Sequence, residues 1–246
     1  MPSKIYVGTA AWSIPRTEQA RFPPGESILA RYAKVLPAVE INSTFYRPHR
    51  ASTFERWAAS VPRAFRFSVK IPREITHDQR LAGSARLLKT FLADVAPLGS
   101  RLGCLLVQLA PAHEYDARIA RSFFTSLRKQ FDGGVALEPR HESWFGDSAN
   151  RLLKKFKVAR VAADPARADG DGEPAGWPGL AYFRLHGSPR IYYSSYEDDY
   201  LHTLAGRLHG LQRARIPTWC IFDNTTLGAA TSNALSLVER LATSSI

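Results

Sequence analysis

Short apolar runs that end in polar or charged residues recur along this chain. They are Ile5-Tyr6-Val7-Gly8, Val39-Glu40-Ile41-Asn42, Phe67-Ser68-Val69-Lys70, Leu105-Leu106-Val107-Gln108, Val135-Ala136-Leu137-Glu138, Val158-Ala159-Arg160-Val161, Tyr182-Phe183-Arg184-Leu185 and Trp219-Cys220-Ile221-Phe222. Between most of them lie segments with apolar residues at helical spacing. These are Ser27 to Leu36, a helix capped by Ser52 and ended before Pro62, Ser84 to Val95, Asp116 to Phe131, Ser148 to Phe156, Asp199 to Ala214 and Asn233 to Leu241. Strand-like runs alternating with helical ones predict an α/β fold, specifically a (β/α)8 TIM-type barrel. One connection breaks the rhythm. Pro165 to Pro178 holds too much Gly and Pro for a helix, so the barrel is expected to lack a regular helix between its sixth and seventh strands. A surface loop is the simpler reading of that segment, and a lid the alternative.

Alternation along the strands sorts their residues onto two faces. Val39 and Ile41 oppose Glu40 and Asn42; Phe67, Val69 and Ile71 oppose Ser68 and Lys70. Leu106 and Gln108 share a face, as do Ala136, Glu138 and Arg140, and Tyr182, Arg184 and His186. The apolar faces suit outer helices. The other faces then point inward, with their polar members toward the C-terminal strand ends, where barrels of this kind place their active sites. Glu40, Lys70, Gln108, Glu138, Arg140, Arg184 and His186 are therefore expected to converge there, with Asp164, Asp223 and Asn224 joining from the ends of the sixth and eighth strands.

Burying so many ionisable groups demands that they pair with one another or with a ligand. Glu40, Glu138 and His186 are the candidate catalytic residues, because carboxylates and an imidazole in unlike surroundings can separate into acid and base. Asn42, Tyr46, Lys70, Gln108, Arg140, Asp164, Arg184, Asp223 and Asn224 are the candidate substrate-binding residues, with the cations matched to an anionic group. No metal site is assigned: the acidic residues are interleaved with cations, and neither an HxH nor an HExxH spacing occurs. No cofactor is assigned either. The chain has no GxGxxG, Walker loop, GxSxG or CxxC pattern. Trp12, Phe45, Tyr46, Trp144, Tyr192, Tyr193 and Tyr196 follow strand ends and could line a ligand or simply pack.

Length and composition refine this picture without redirecting it. The 246 residues match one barrel, a single domain over 1–246, and a hydrophobic fraction of 45% can fill its core. No stretch is apolar enough to span a membrane, and with no evident leader segment a cytoplasmic location is expected. Cys104 and Cys220 fall in the fourth and eighth strands, across the barrel from one another, and read as small core residues. A formal charge of +11 favours anionic partners: a small anionic molecule or nucleic acid. The pattern says nothing of oligomeric state.

Several stretches together resemble a known family. Ile5-Tyr6-Val7-Gly8-Thr9 with Trp12-Ser13, Val39 to Tyr46, Phe65 to Lys70 with Pro72 and Ile75-Thr76-His77, Leu105 to Pro111, Glu138-Pro139-Arg140-His141 with Trp144, Arg184-Leu185-His186-Gly187 and Phe222-Asp223-Asn224-Thr225 with Gly228-Ala229-Ala230 are similar to the bacterial and archaeal family called domain of unknown function 72. The resemblance spans nearly the whole chain. It implies a TIM-type barrel and supplies no reaction. Ala10-Ala11 stands where that family commonly has Ser-Gly, and Ala110 where it commonly has proline.

Three functional readings follow. The leading one is an enzyme using acid–base chemistry on a small anionic substrate, phosphorylated molecules included. The second is a nucleic-acid-binding or nucleic-acid-processing protein, resting on the net charge and on Arg47, Arg50, Arg73 and Arg80 near Phe45 and Tyr46. The third is a non-catalytic interaction protein whose charges merely plug the barrel.

Overall fold

The computed structural model of the protein describes residues 4–168 and 170–243. Among these residues, ten strands form two sheets: β1 (Ile5–Thr9), β2 (Ala38–Ile41), β3 (Arg66–Lys70), β4 (Leu102–Gln108), β5 (Gly134–Glu138), β6 (Ala159–Arg160), β7 (Ala162–Asp164), β8 (Ala175–Gly176), β9 (Ala181–Leu185) and β10 (Thr218–Phe222). One sheet runs β1-β10-β9-β7 and the other β2-β3-β4-β5-β6-β8. Their pairings are parallel except for β6 with β8.

The expectation of a closed eight-stranded barrel is met only in part, since the hydrogen bonds do not form one continuous ladder. The sixth run is split at Val161. β6 pairs with β5 and β7 pairs with β9, and Val161 itself donates to the Leu137 carbonyl at 2.8 Å. On the other side, β1 and β2 touch through the single bridge Ala10–Glu40, with Ala11 N–H donating to the Glu40 carbonyl at 2.9 Å. Gly8 is needed just before that bridge: a Cβ there would lie 2.1 Å from the Ala38 carbonyl oxygen.

Seven α-helices among the described residues cover the outer faces: α1 (Ile28–Tyr32), α2 (Ala51–Ala59), α3 (Ala85–Val95), α4 (Ala117–Arg128), α5 (Asp147–Lys155), α6 (Asp198–Arg213) and α7 (Ala229–Thr243). Asp116 caps α4 by accepting from the Arg118 and Ile119 amides, and Ser27 caps α1 through the Ala30 amide. The expected Ser52 cap is not found. α2 starts two residues earlier than that cap implies, after Arg50, with no side-chain cap, and Ser52 lies within its first turn. No helix occurs among the described residues of 165–180; Asp169 lies outside them. The chain instead returns as β8, antiparallel to β6. Its loop lies over the outer side of β6 and β7: Arg160 donates to the Gly170 carbonyl at 3.1 Å, and Ala163 N–H to the Asp171 carbonyl at 3.0 Å.

Two cores result. The larger lies between sheets and helices and takes the apolar faces read from the sequence, including Val39, Ile41, Phe67, Val69 and Ile71. The smaller lies between the two sheets. There, Ala38, Ala136 and Ala159 make room for Tyr182 and Trp219, which stack with ring centroids 6.0 Å apart. The sheets are thus held apart by a buried, partly aromatic layer, and the next residues toward the strand ends are the charged ones. Cys104 and Cys220 are free and buried.

Candidate active site

Arg184 stands two residues after Tyr182 on β9, so it rises directly above the aromatic layer. It is fully buried, with 0% exposure. Its Nε and Nη2 donate to the two oxygens of Glu40 at 3.0 and 2.7 Å, its Nη1 to Glu138 Oε2 at 3.0 Å, and its Nη2 lies 3.1 Å from Asp223 Oδ2. One guanidinium thus bridges carboxylates from β2, β5 and the end of β10. Tyr182 completes the floor, its hydroxyl donating to Glu40 Oε2 at 2.9 Å and lying 2.8 Å from Ser68 Oγ. Gln108 donates to Glu138 Oε2 at 2.8 Å.

His186 sits one step further along the chain from Arg184, on the same face. Its Nδ1 lies 3.0 Å from Asp223 Oδ2 and its Nε2 3.0 Å from Glu138 Oε1. Ionised carboxylates only accept, so both ring nitrogens must donate, and the ring is an imidazolium. Burial pushes its pKa down, but Glu138 and Asp223 outweigh burial and raise it. Burial likewise works to raise the carboxyl pKa values. Arg184, His186 and Arg140 overcome this at Glu138 and hold it well below the usual range, and Arg184, His186 and Lys70 hold Asp223 down. The two acids are therefore anionic at neutral pH.

Three carboxylates (Glu40, Glu138, Asp223) thus face two guanidiniums (Arg140, Arg184) and one imidazolium, and these charges balance. Lys70, at the end of β3, is left over. It is only 4% exposed, yet among the described residues it has neither a carboxylate within 4.0 Å nor a hydrogen bond from its Nζ. The amine rests 4.0 Å above the centroid of Phe45. Burial first, and then the charge of Arg184, lower its pKa to about 8, against the pull of Glu40, Glu138 and Asp223. Nearby His77 is pushed down to about 4, by burial and then by Lys70, Arg73 and Arg140, so its ring is neutral.

Arg140 is the second open cation. Its Nε approaches Glu138 Oε1 only to 3.6 Å, beyond a good hydrogen bond. Nε and Nη2, the two donors of the side-on edge of the guanidinium, are buried without an acceptor. Two further orphaned atoms are acceptors, Asn42 Oδ1 and Asn224 Oδ1. Asn224 is otherwise tied to the structure, its amide donating to the Ser194 carbonyl and to Asn233 Oδ1, both at 2.9 Å.

The other expected site residues are placed differently. Asp164 does not enter the charge network; its carboxylate accepts from the Tyr196 hydroxyl at 2.8 Å. Tyr46 is 73% exposed, beyond the buried cluster, with its ring edge against Phe45. Trp144 is buried and donates to the His113 carbonyl at 2.9 Å, a packing role. Tyr192 lies edge-on to His186 at 5.8 Å, so the loop after β9 covers one side of the site. Tyr182 and Ser68, the neighbours of Glu40 in the floor, are not among the residues expected from sequence. Their position two residues before Arg184 and Lys70 on the same faces is the signal that points to them. A separate cavity of about 270 Å³, lined in part by Tyr46, His49, Pro72, Ile75 and Phe91, shares Thr44 and Phe45 with the Lys70 surroundings.

No three His, Cys, Asp or Glu side chains among the described residues are grouped to hold a metal ion. The facing oxygens of Glu40, Glu138 and Asp223 are instead spent on Arg184 and His186. No described helix is long and apolar enough to cross a membrane.

Comparison with known proteins adds one firm result. The family model described as "Protein of unknown function DUF72" matches residues 6–245. UPF0759 protein YecE of Escherichia coli K12 is 31% identical over 166 residues, covering 65% of this chain, and the chain spans about 59% of that relative's length. UPF0759 protein YunF of Bacillus subtilis is 23% identical over 96% of this chain and 94% of its own. Among solved structures, a DUF72 family protein from Enterococcus faecalis superposes with a TM-score of 0.80 at 22% identity, covering 97% of this chain and 96% of that one. One from Thermotoga maritima superposes at 0.78 with 25% identity, covering 97% and 99%. Ala11, just after the Ala10–Glu40 bridge, has a φ of 74°, a left-handed conformation that costs a residue with a Cβ.

Proposed function

The chain belongs to the DUF72 family, and we propose that it is an enzyme acting on a small anionic molecule, of carboxylate or phosphate type, at the C-terminal strand ends. In this reading the two sheets act as one (β/α)8-type barrel interrupted at Val161 and at the Ala10–Glu40 bridge, with its mouth at the charged cluster. The observation that carries the proposal is the side-on edge of Arg140, two buried N–H donors without an acceptor, together with a buried lysine without a counter-ion, both cations acting on His77. A carboxylate or phosphate satisfies both donors at once and neutralises the surplus charge. Glu40, Glu138 and His186 form the proton-bearing network behind the substrate. Asp223 is the most open of its three carboxylates, with a side chain 9% exposed, and protons would exchange along Glu138, His186 and Asp223. The orphaned oxygens of Asn42 and Asn224 would accept from substrate hydroxyls.

Titration of inorganic phosphate into the protein by calorimetry tests the site. Binding that Arg140→Met weakens by about tenfold or more, the expected loss for a bidentate charged contact, supports it. Binding that Arg140→Met and Lys70→Met both leave unchanged would overturn it.

One observation favours a second reading, nucleic-acid binding. The exposed Tyr46 ring stands among the exposed Arg47, Arg50 and Arg73. Oligonucleotide affinity falling steeply with salt and lost in Tyr46→Ala would support that reading, while affinity insensitive to salt would sink it.

A further inference from the structure

We propose that Lys70 is a covalent nucleophile: its amine condenses with an aldehyde or ketone carbonyl of the substrate to form an imine, so the substrate class is an anionic carbonyl compound, such as a 2-oxo acid or a phosphorylated sugar in its open form. This deepens the reading above and rests on it.

The argument starts from charge and contact. Every other ionised group in the cluster has an opposite charge within 4.0 Å: Glu40 and Glu138 on Arg184, His186 between Glu138 and Asp223, and Arg140, although its side-on donors are unspent, 3.6 Å from Glu138. A lysine placed only to bind charge would be expected to reach one of those carboxylates, as Arg184 does. Lys70 instead keeps its Nζ over the face of Phe45, on a residue that is 4% exposed, free of hydrogen bonds among the described residues. Its backbone is fixed. The Lys70 carbonyl accepts from the Thr44 hydroxyl at 2.6 Å, and β3 is paired on both sides. An unpaired lysine amine with an apolar floor and cationic neighbours is the environment that activates a lysine as a nucleophile. The lowering of its pKa to about 8 agrees with this geometry, leaving the free amine at neutral pH roughly two orders of magnitude more abundant than on an ordinary lysine.

The step balances without an outside oxidant or reductant. The neutral amine attacks the carbonyl carbon, forming a C–N bond while the C=O π pair moves to oxygen. The resulting carbinolamine loses its hydroxyl as water, and C=N forms. Counted from the ammonium, two N–H protons leave with the carbonyl oxygen as that water, and the product is an iminium carrying the same single positive charge. The charge balance of the cluster is therefore the same before and after condensation. The anionic group of the substrate, on Arg140, supplies the negative charge that the surplus Lys70 cation lacks. Asp223, whose charge is felt at Lys70, is the carboxylate that would carry protons between nitrogen and oxygen.

The test is reductive trapping. The protein is incubated at pH 7.5 with glyoxylate or with pyridoxal 5′-phosphate and sodium cyanoborohydride, then digested and mapped by mass spectrometry. The expected result is an adduct on Lys70 about tenfold or more above those on the exposed Lys89 and Lys129, suppressed by inorganic phosphate and absent in Lys70→Arg. Phosphate binding with no preference for Lys70 in trapping overturns the covalent role and leaves the anion site standing. Neither phosphate binding nor trapping overturns both. Because the preference for Lys70 over Lys89 and Lys129 is read on the parent protein, that part of the result does not depend on any variant folding.

Discussion

Arg184 and Lys70 are both buried cations at strand ends, on β9 and β3, and the structure treats them oppositely. Arg184 meets Glu40, Glu138 and Asp223 at 2.7 to 3.1 Å and is fully enclosed. Lys70 has an aromatic ring for its nearest described partner. Arginine's planar fork can satisfy three carboxylates at once, and it stays charged when buried, whereas a lysine amine yields its proton under the same desolvation. The inner network therefore organises the site, and the outer pair Lys70 and Arg140 is left available for chemistry. Networks of the first kind resist change; a group of the second kind is held at a cost to stability.

The most damaging change removes the centre of the network. Arg184→Met leaves three buried carboxylates without their cation, and the expected loss is about 3–5 kcal/mol, read as a collapse of the urea unfolding midpoint. An unchanged midpoint would mean that the network does not hold the two sheets together at this end.

Lys70→Met tests the other side and should go in the opposite direction. A fall from the ordinary lysine value of 10.5 to about 8 means that folding with the charged amine carries a penalty on the order of 3 kcal/mol below pH 8, relieved as pH rises from 8 toward 10.5. The variant should therefore melt higher than the parent at pH 7, with the gain shrinking above pH 8, while phosphate binding weakens. A lower melting temperature at pH 7 would show that Lys70 is structural.

The pH profile of stability separates the two cations in another way. The raised pKa of His186 contributes stability that is present below the unfolded imidazole value near 6.5 and is lost as pH rises through the folded value. The depressed Glu138 and Asp223 contribute stability present above their ordinary carboxyl range and lost as pH falls through the folded values. In a Lys70→Met background, where the opposing lysine effect is gone, denaturation should show a fall on both limbs. His186→Gln should remove the part of the alkaline fall that begins at the unfolded imidazole value near 6.5, below the range where Cys104, Cys220 and the buried tyrosines contribute theirs, and a fall starting there that survives the change would refute the imidazolium.

The smallest effect concerns the floor. Tyr182→Phe removes the hydroxyl from Glu40 and Ser68 in a fully buried place, at about 1–3 kcal/mol, with phosphate affinity nearly unchanged. A large loss of affinity instead would place Tyr182 in the binding machinery.

Much of this arrangement is legible in the amino-acid sequence. Alternation along the runs puts Glu40, Lys70, Glu138, Arg184 and His186 on the faces that turn away from the helices, because a strand's period of two leaves no other arrangement once Val39, Phe67, Val69 and Leu185 are buried on the outer side. Spacing of apolar residues locates each of the seven described helices to within a few residues. The absence of helix after β7 follows from Gly and Pro in 165–178, although the return as β8 does not. Local pattern carries no information on partners far along the chain.

Those partners belong to the packed molecule. The α/β alternation, the inward and outward faces and the set of charged residues at the strand ends are properties of the chain alone, because they depend only on backbone geometry and hydrophobicity. That Glu40 and Arg184, 144 residues apart, close on one another is not. Nor is the turn of Asp164 toward Tyr196, or the placing of Lys70 against an aromatic ring while Arg184 takes the carboxylates. Pairing among buried charges is settled by distances of a few tenths of an ångström between strands, and only the packed sheets fix those distances.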